Sequence, residues 1–371
     1  MMFRRGVSIQ TRPAAGVLPA WFTGAASGQW VALPGNTLSA SGVLQTGDET
    51  LFTAWGGGVY NTVGVYDGST FVPGIFLVIW GGGHGDSSSN AVYARGPLDS
   101  DTPIWRRLRD RTSTPPQNVS EDGSGNPVSR HTFQSIAYDP INNWMFSSGG
   151  LARYSDANGI IETHTYQFNT ANPNSAQPWT KKTNAPGASD VSAYDSTTGL
   201  IWSHQDAQGE VQTYQTATDT WDSQIFKSPG WSGANACSAI DTTLGLWAIK
   251  WNAGINFFRT DTLNNDYYAP SETGTGPTGT TSILYDPIVG AFKCWNGGGK
   301  QLFTFTPPGT SPYQGGNAWT WSSNTPAGGD TPDAAQANGT YGRFGYVDNG
   351  AGLRGYFLCN SATSAVYFYK P

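Results

Sequence analysis

Nine side chains have the types and spacing to do chemistry together. They are His84 and Asp86 in the run WGGGHGD, the adjacent pair Arg130 and His131, Arg153 with Tyr154, His204 with Asp206, and Trp231. Arg, His and Asp exchange hydrogen bonds with hydroxyls, while Tyr and Trp offer planar faces, so the set would suit a sugar or another small polar ligand. His84, His131 and His204 could serve a metal only if they converge, and His164 opens a strand-like run that sets it apart. The loop carboxylates Asp86, Asp156, Asp206 and Asp330 could pair as hydrolytic acid and base, but aspartate is also the ordinary turn residue. No G-x-S-x-G, H-E-x-x-H or P-loop pattern occurs, and the glycine runs at 56–58, 81–83 and 297–299 lack a following Lys-Ser/Thr. The nine are therefore assigned as candidate ligand-binding residues, with no catalytic residue, no metal and no cofactor. A structural alternative stays open, in which His84 and Asp86 pin the glycine-rich loop and Arg130 and His131 bond backbone carbonyls.

Whether these residues meet depends on the elements that carry them, and a repeat supplies those. The phrases VYDGST (65–70), AYDPINN (137–143), AYDSTTG (193–199), AIDTTLG (239–245), LYDPIVG (284–290) and YVDNGAG (346–352) share an aspartate, at Asp67, Asp139, Asp195, Asp241, Asp286 and Asp348. The separations are 72, 56, 46, 45 and 62 residues, which fits a unit near 45 residues with loop insertions, the period of propeller blades. Each phrase reads as the end of an apolar strand followed by a hairpin turn, where Asp bonds backbone N–H groups two residues on. A second strand follows, such as IFLVIW (75–80) or LWAIKW (246–251), then an aromatic third strand. A fourth is marked by Trp105, Trp179, Trp221 and Trp319 or Trp321, with Tyr267 and Tyr268 in their place in the fourth unit.

The sixth unit reaches Pro371 with no fourth strand, and Gln29–Pro34 (QWVALP) reads like the missing one. Pairing it there removes an exposed sheet edge, which would otherwise invite aggregation. The expected fold is an all-β, six-bladed propeller in one domain, its last blade closed by an N-terminal strand at 29–34 after a lead-in at 1–28. The blades are expected at about 60–110, 131–183, 189–226, 235–270, 280–323 and 342–371. In such a blade the second-to-third loop and the blade-to-blade connection leave by the same face. That topology predicts that His84, Asp86, Arg130 and His131 gather at one mouth of the central channel, with Arg153, Tyr154, His204, Asp206 and Trp231 nearby.

The second strand running into glycines in WGGGHGD (80–86), FSSGG (146–150) and WNGGG (295–299), followed by an aromatic strand and a Trp-marked strand, resembles the kelch motif. The first unit, with WGGGHGDSSSNAVYARG and SRHTFQSIAYDP, is similar to galactose-oxidase-like propellers of bacterial and phage type. Units three, four and six lack the paired glycines. The resemblance specifies fold better than function, because such propellers serve as enzymes and as binding proteins. Galactose oxidase implies copper and a cysteine cross-linked to tyrosine. Here Cys237, Cys294 and Cys359 fall in separate apolar runs and read as buried thiols.

Only 12% of residues are charged, with a net charge of −6, which argues against a general nucleic-acid binder. The basic run Arg106, Arg107, Arg109 and Arg111 is diluted by Asp110 and reads as a solvated strand end. No apolar stretch reaches a membrane span, and no secretory signal is visible. The functional expectation is a non-enzymatic recognition or structural propeller of phage virion or tail type. Its partner would be a host-surface glycan or a neighbouring virion protein, with self-assembly or attachment to a larger assembly open, and without nucleic acid or membrane insertion. The location expected is the virion or an extracellular-facing setting, with the cytoplasm as alternative. A polysaccharide-acting enzyme is the rival reading, and a galactose-oxidase-like copper enzyme a more distant one.

Overall fold

The computed structural model describes residues 17–45, 63–74, 76–82, 87, 89–113, 119–152, 160–173, 178–205, 209–222, 226–227, 236–251, 254–262, 267–279, 282–295, 297–309, 312, 317–334 and 339–371. Six antiparallel sheets form a six-bladed propeller. The inner strands are Gly68–Val72, Ile136–Asp139, Ser189–Asp195, Cys237–Asp241, Ser282–Asp286 and Phe344–Asp348, each touching the next around the ring, the last returning to the first. Blade three gains a short strand, Phe226–Lys227, and blade five a parallel one, Ser271–Thr273, beside its outermost strand.

The turn aspartates work as expected in five blades. Asp139, Asp195, Asp241, Asp286 and Asp348 each accept a hydrogen bond from the backbone N–H two residues on, at 2.7–2.9 Å. Asp67 does not. It precedes the inner strand of blade one, whose turn falls after Val72, so the first phrase belongs to the opposite end of its strand. The tetrapeptide Thr-Phe-Val-Pro continues the strand past the aspartate, and Pro73-Gly74 makes the turn instead.

Apolar side chains collect between blades rather than within one central core, because each blade has two faces to cover. Trp80, Val78 and Val72 of blade one meet Ile136, Met145, Tyr166 and Trp179 of blade two. Similar clusters join blades three and four, four and five, and five and six. The smallest joins blades two and three, through Ala137, Phe146, Ile201 and Tyr214. The three cysteines form no disulfide and are buried in the packed regions, and burial pushes the Cys359 thiol up to about 12.

Blade six is built from both regions of the chain. Gln29–Ala32 pairs with Tyr367–Lys370, and Trp30, only 1% exposed, stacks edge-on against Tyr369 and donates its indole N–H to the Lys300 carbonyl. Asp330 buttresses this strand, its carboxylate accepting the Ala32 N–H at 2.7 Å and its own N–H donating to the Trp30 carbonyl. Just before the strand, Trp21 and Phe22 pack on Phe368. Deleting residues 1–35 is therefore expected to bare the edge at Tyr367–Lys370 and to give aggregation or a sharp fall in melting temperature. A monomeric truncation that melts like the full chain would contradict this closure.

Candidate functional site

The connection between blades one and two crosses the face where inner strands begin. Ser129 donates its hydroxyl to the Gly81 carbonyl, and Thr132 donates to the Trp80 carbonyl while accepting the Gly68 N–H. Space for this segment comes from glycine: a Cβ on Gly150, at φ +114°, would lie 2.4 Å from the His131 carbonyl oxygen. Glycines at the ends of the second strands, Gly81 and Gly150, thus admit the incoming chain.

Arg130 is 0% exposed. Its guanidinium lies over the rings of Trp80 and Tyr166, at 5.7 and 5.1 Å, and donates to the carbonyls of Val128 and Ser120. Its Nη1 is buried without a hydrogen-bond partner. His131, also buried, packs on Tyr66 with ring centroids 4.3 Å apart. His204 is buried one blade away, its Nδ1 3.0 Å from the Asp190 carboxylate and its ring edge-on to Trp251. The two regions are linked, since the Gln134 N–H donates to the Asp190 carbonyl. The other candidates, His84, Asp86, Arg153, Tyr154, Asp206 and Trp231, lie outside the described residues, as does Asp156.

Above the start of the inner strands, Tyr66, His131, Phe133 and Tyr341 form one ring cluster. Three of them hold left-handed backbone, with φ of 55° at Tyr66, 44° at Phe133 and 47° at Tyr341. Such strain costs about 1–3 kcal/mol per residue and persists only where the surroundings over-determine it. What determines it here is a cross-axis clasp. The Gln134 side chain of blade two donates to the Ser238 carbonyl of blade four at 2.7 Å and accepts the Ser238 N–H at 2.6 Å. Blade six supplies Gly342, whose carbonyl accepts the Ser69 hydroxyl of blade one at 2.7 Å. A Cβ on Gly342 would sit 2.8 Å from the Ser69 carbonyl oxygen and 3.1 Å from Gln134 Cγ.

A buried ion pair locks the same corner. Arg343 donates through Nη1 to both the carboxylate and the carbonyl of Asp67 at 2.6 Å, and also to the carbonyls of Gly339 and Cys359. Asp67 Oδ2 has no partner. Burial pushes the Asp67 carboxyl from its ordinary 3.8 up to about 7, against the opposing pull of Arg343.

Below the clasp runs a channel of about 300 Å³, bounded by residues of all six inner strands. Its floor is Gln134, Ser69, Ser192, Ser238 and Gly342, its waist includes Ala137, Ala193, Ala239 and Gly345, and its far end carries Tyr138, Tyr194, Tyr285, Tyr346 and Phe71. Tyr138, Tyr194, Tyr346 and Phe71 are half-buried, whereas Ser69, Ser192 and Ser238 are buried, so the channel opens on the hairpin-turn face. Among the described residues none of its lining side chains is charged. Burial and the neighbouring aspartates raise all four tyrosines, Tyr285 and Tyr346 to about 12, so they stay protonated donors. Sequence reasoning missed this mouth. The signal was present in the Tyr-Asp pairs of three repeats, since Tyr138, Tyr194 and Tyr285, each preceding a turn aspartate, line the channel, as does Tyr346 two residues before Asp348.

Neither a protein-family model nor a curated protein matches the chain in sequence. Solved structures similar to it include that of YjhT, at 10% identity and a TM-score of 0.49 over 82% of this chain and 93% of that one. A streptogramin B lyase shows 8% identity and 0.44 over 82% and 93%. A fungal alcohol oxidase of the AA5 family, in complex with copper, shows 12% and 0.45 over 72% and 55%. Likeness at this level carries no functional argument. The described residues do not fit a copper centre, as they contain no group of three His, Cys, Asp or Glu side chains placed to hold a metal. His204 is engaged with Asp190 and the cysteines are buried among apolar side chains.

Two outcomes are expected. Arg130→Ala should lower stability by about 1–3 kcal/mol in chemical denaturation, through lost bonds to Val128 and Ser120 and lost ring packing. Unchanged stability with lost ligand binding would return Arg130 to a loop-face pocket. For Asp67, a raised carboxyl contributes stability that is fully present below pH 3.8 and lost as pH rises through about 7. Wild type should therefore lose stability relative to Asp67→Asn between pH 4 and 8. A difference that stays flat or grows with pH would contradict the burial effect.

Proposed function

We propose that the protein is a recognition propeller that takes a glycan into the tyrosine-mouthed channel, and that it acts as a phage-type virion or tail component engaging a surface polysaccharide. The observation that carries the binding reading is the lining itself: hydroxyls and an amide at the floor, aromatic rings at the mouth, and no charged side chain among the described residues. Planar rings cover the apolar face of a sugar while hydroxyls exchange bonds with its rim, and few fixed charges are needed. The virion role rests on the similarity of the first-unit phrases to phage-type propellers. Among the described residues no helix is long and apolar enough to cross a membrane.

Binding is favoured over hydrolysis because the aspartates nearest the mouth hold turn N–H groups, and Asp286 also accepts the Tyr356 hydroxyl at 2.5 Å. A second reading, a pocket on the opposite face involving Arg130 and His131, is favoured by the partnerless Nη1 of Arg130. A glycan array followed by calorimetry separates these readings. Tyr194→Ala and Tyr346→Ala should each weaken binding about tenfold or more, equivalent to about 1.4 kcal/mol, with unchanged circular dichroism. No reducing ends should be released from the bound polysaccharide. Full affinity in both tyrosine variants would overturn the channel as the site.

A further inference from the structure

We infer that the channel reads the free, uncharged end of a saccharide chain rather than its interior. This rests on the glycan reading above and adds which part of the glycan is bound. Three features of the channel support it.

The first is that the described residues span the channel's floor end. Gln134 spans from blade two to blade four through two hydrogen bonds, and Gly342 and Ser69 meet beside it. Above them lies the packed cluster of Tyr66, His131, Phe133 and Tyr341. Among the described residues a chain entering at the tyrosines meets this clasp and ring cluster instead of an exit, so a mid-chain unit with neighbours on both sides does not reach the floor.

The second is its depth. From Ser192 to Tyr194, and from Ser238 to Ile240, the wall is two residues tall, about 7 Å at the rise of a strand. With about 300 Å³ of space, at the small end of ligand pockets, the channel takes one terminal sugar ring and the start of the next. The small residues Ala137, Ala193, Ala239 and Gly345 leave the waist open for that ring.

The third is charge and hydrogen bonding. Asp139, Asp195 and Asp286 directly follow Tyr138, Tyr194 and Tyr285, and their charge reaches those rings. Arg354 opposes this only beside Tyr346. A terminal uronate, sulfate or phosphate would meet this negative rim with no cation among the described lining residues to receive it. At the floor, the Ser238 hydroxyl is buried, in a residue 3% exposed, and has no hydrogen-bond partner. A hydroxyl of the terminal ring supplies one, and an unmade bond of this kind is costly to leave buried.

The test uses the full chain and defined probes: linear hexasaccharides of glucose, galactose, mannose and N-acetylglucosamine. Each is compared with the same chain oxidised to a terminal uronic acid and the same chain capped at its non-reducing end. At least one neutral hexasaccharide should bind, its terminal monosaccharide should compete, and the capped and uronate forms should bind about tenfold more weakly or worse. If capped or uronate chains bind as tightly as the free chain, and Tyr194→Ala still weakens them all, the end-reading inference fails while the channel stands. If no hexasaccharide binds, or Tyr194→Ala and Tyr346→Ala change nothing, the glycan reading itself fails.

Discussion

A ring of sheets has no edge, but a polypeptide has two ends, and blade six reconciles the two. Its three strands from Phe344 to Lys370 are completed by Gln29–Ala32. The channel, the clasp and the ring of tyrosines all presuppose that six inner strands are held at equal reach from one axis. The seam that holds them is non-covalent: a short ladder, the buried Trp30, and Asp330 bonding the closing strand from its outer side. The largest apolar cluster straddles this seam between blades six and one, drawing in Trp21, Phe22, Leu33 and Leu38 from outside the blades. Burial is concentrated where the topology is weakest.

Closure at the rim is matched by closure at the axis. Gln134, Ser238, Ser69 and Gly342 tie blades one, two, four and six, and Arg343 joins Asp67 in the chain entering blade one. Side-chain amide to backbone pairing of this kind imitates a short ladder between strands that are too far apart to form one. The strain in Tyr66, Phe133 and Tyr341 is located here, where aromatic packing and buried hydrogen bonds hold each ring in place. The consequence for function is asymmetry. Among the described residues, one end of the channel is spanned by the clasp and the ring cluster, and the other is open and lined with hydroxyls and rings.

Much of the architecture was legible in the sequence because it depends on local chemistry. Turn aspartates bond their own backbone, so Asp139, Asp195, Asp241, Asp286 and Asp348 mark hairpins wherever they occur. Trp105, Trp179, Trp221 and Trp319 mark outer strands because a large ring there covers the neighbouring blade. Asp67 broke the pattern, since its partner, Arg343, is distant in sequence and leaves no local trace. The site was less legible for the same reason. Topology alone indicated which face would receive the loops, but not that Gln134 would cross the axis or that Arg130 would be buried between two rings. Three tyrosines of the open mouth, Tyr138, Tyr194 and Tyr285, were visible as Tyr-Asp pairs, yet a strand-end reading and a ligand-facing reading share those letters until the axis is known.

Glycan recognition by the channel requires that ligand enter by the hairpin-turn face. Tyrosine nitration followed by mass spectrometry, with and without a saturating neutral oligosaccharide, tests this directly. Tyr138, Tyr194 and Tyr346 are half-buried at the open mouth, and Tyr66 is half-buried at the spanned end, which makes them internal controls for each other. Ligand should protect the first three and leave Tyr66 as reactive as before. Protection of Tyr66 with the mouth tyrosines unchanged would contradict it and place the ligand on the opposite face.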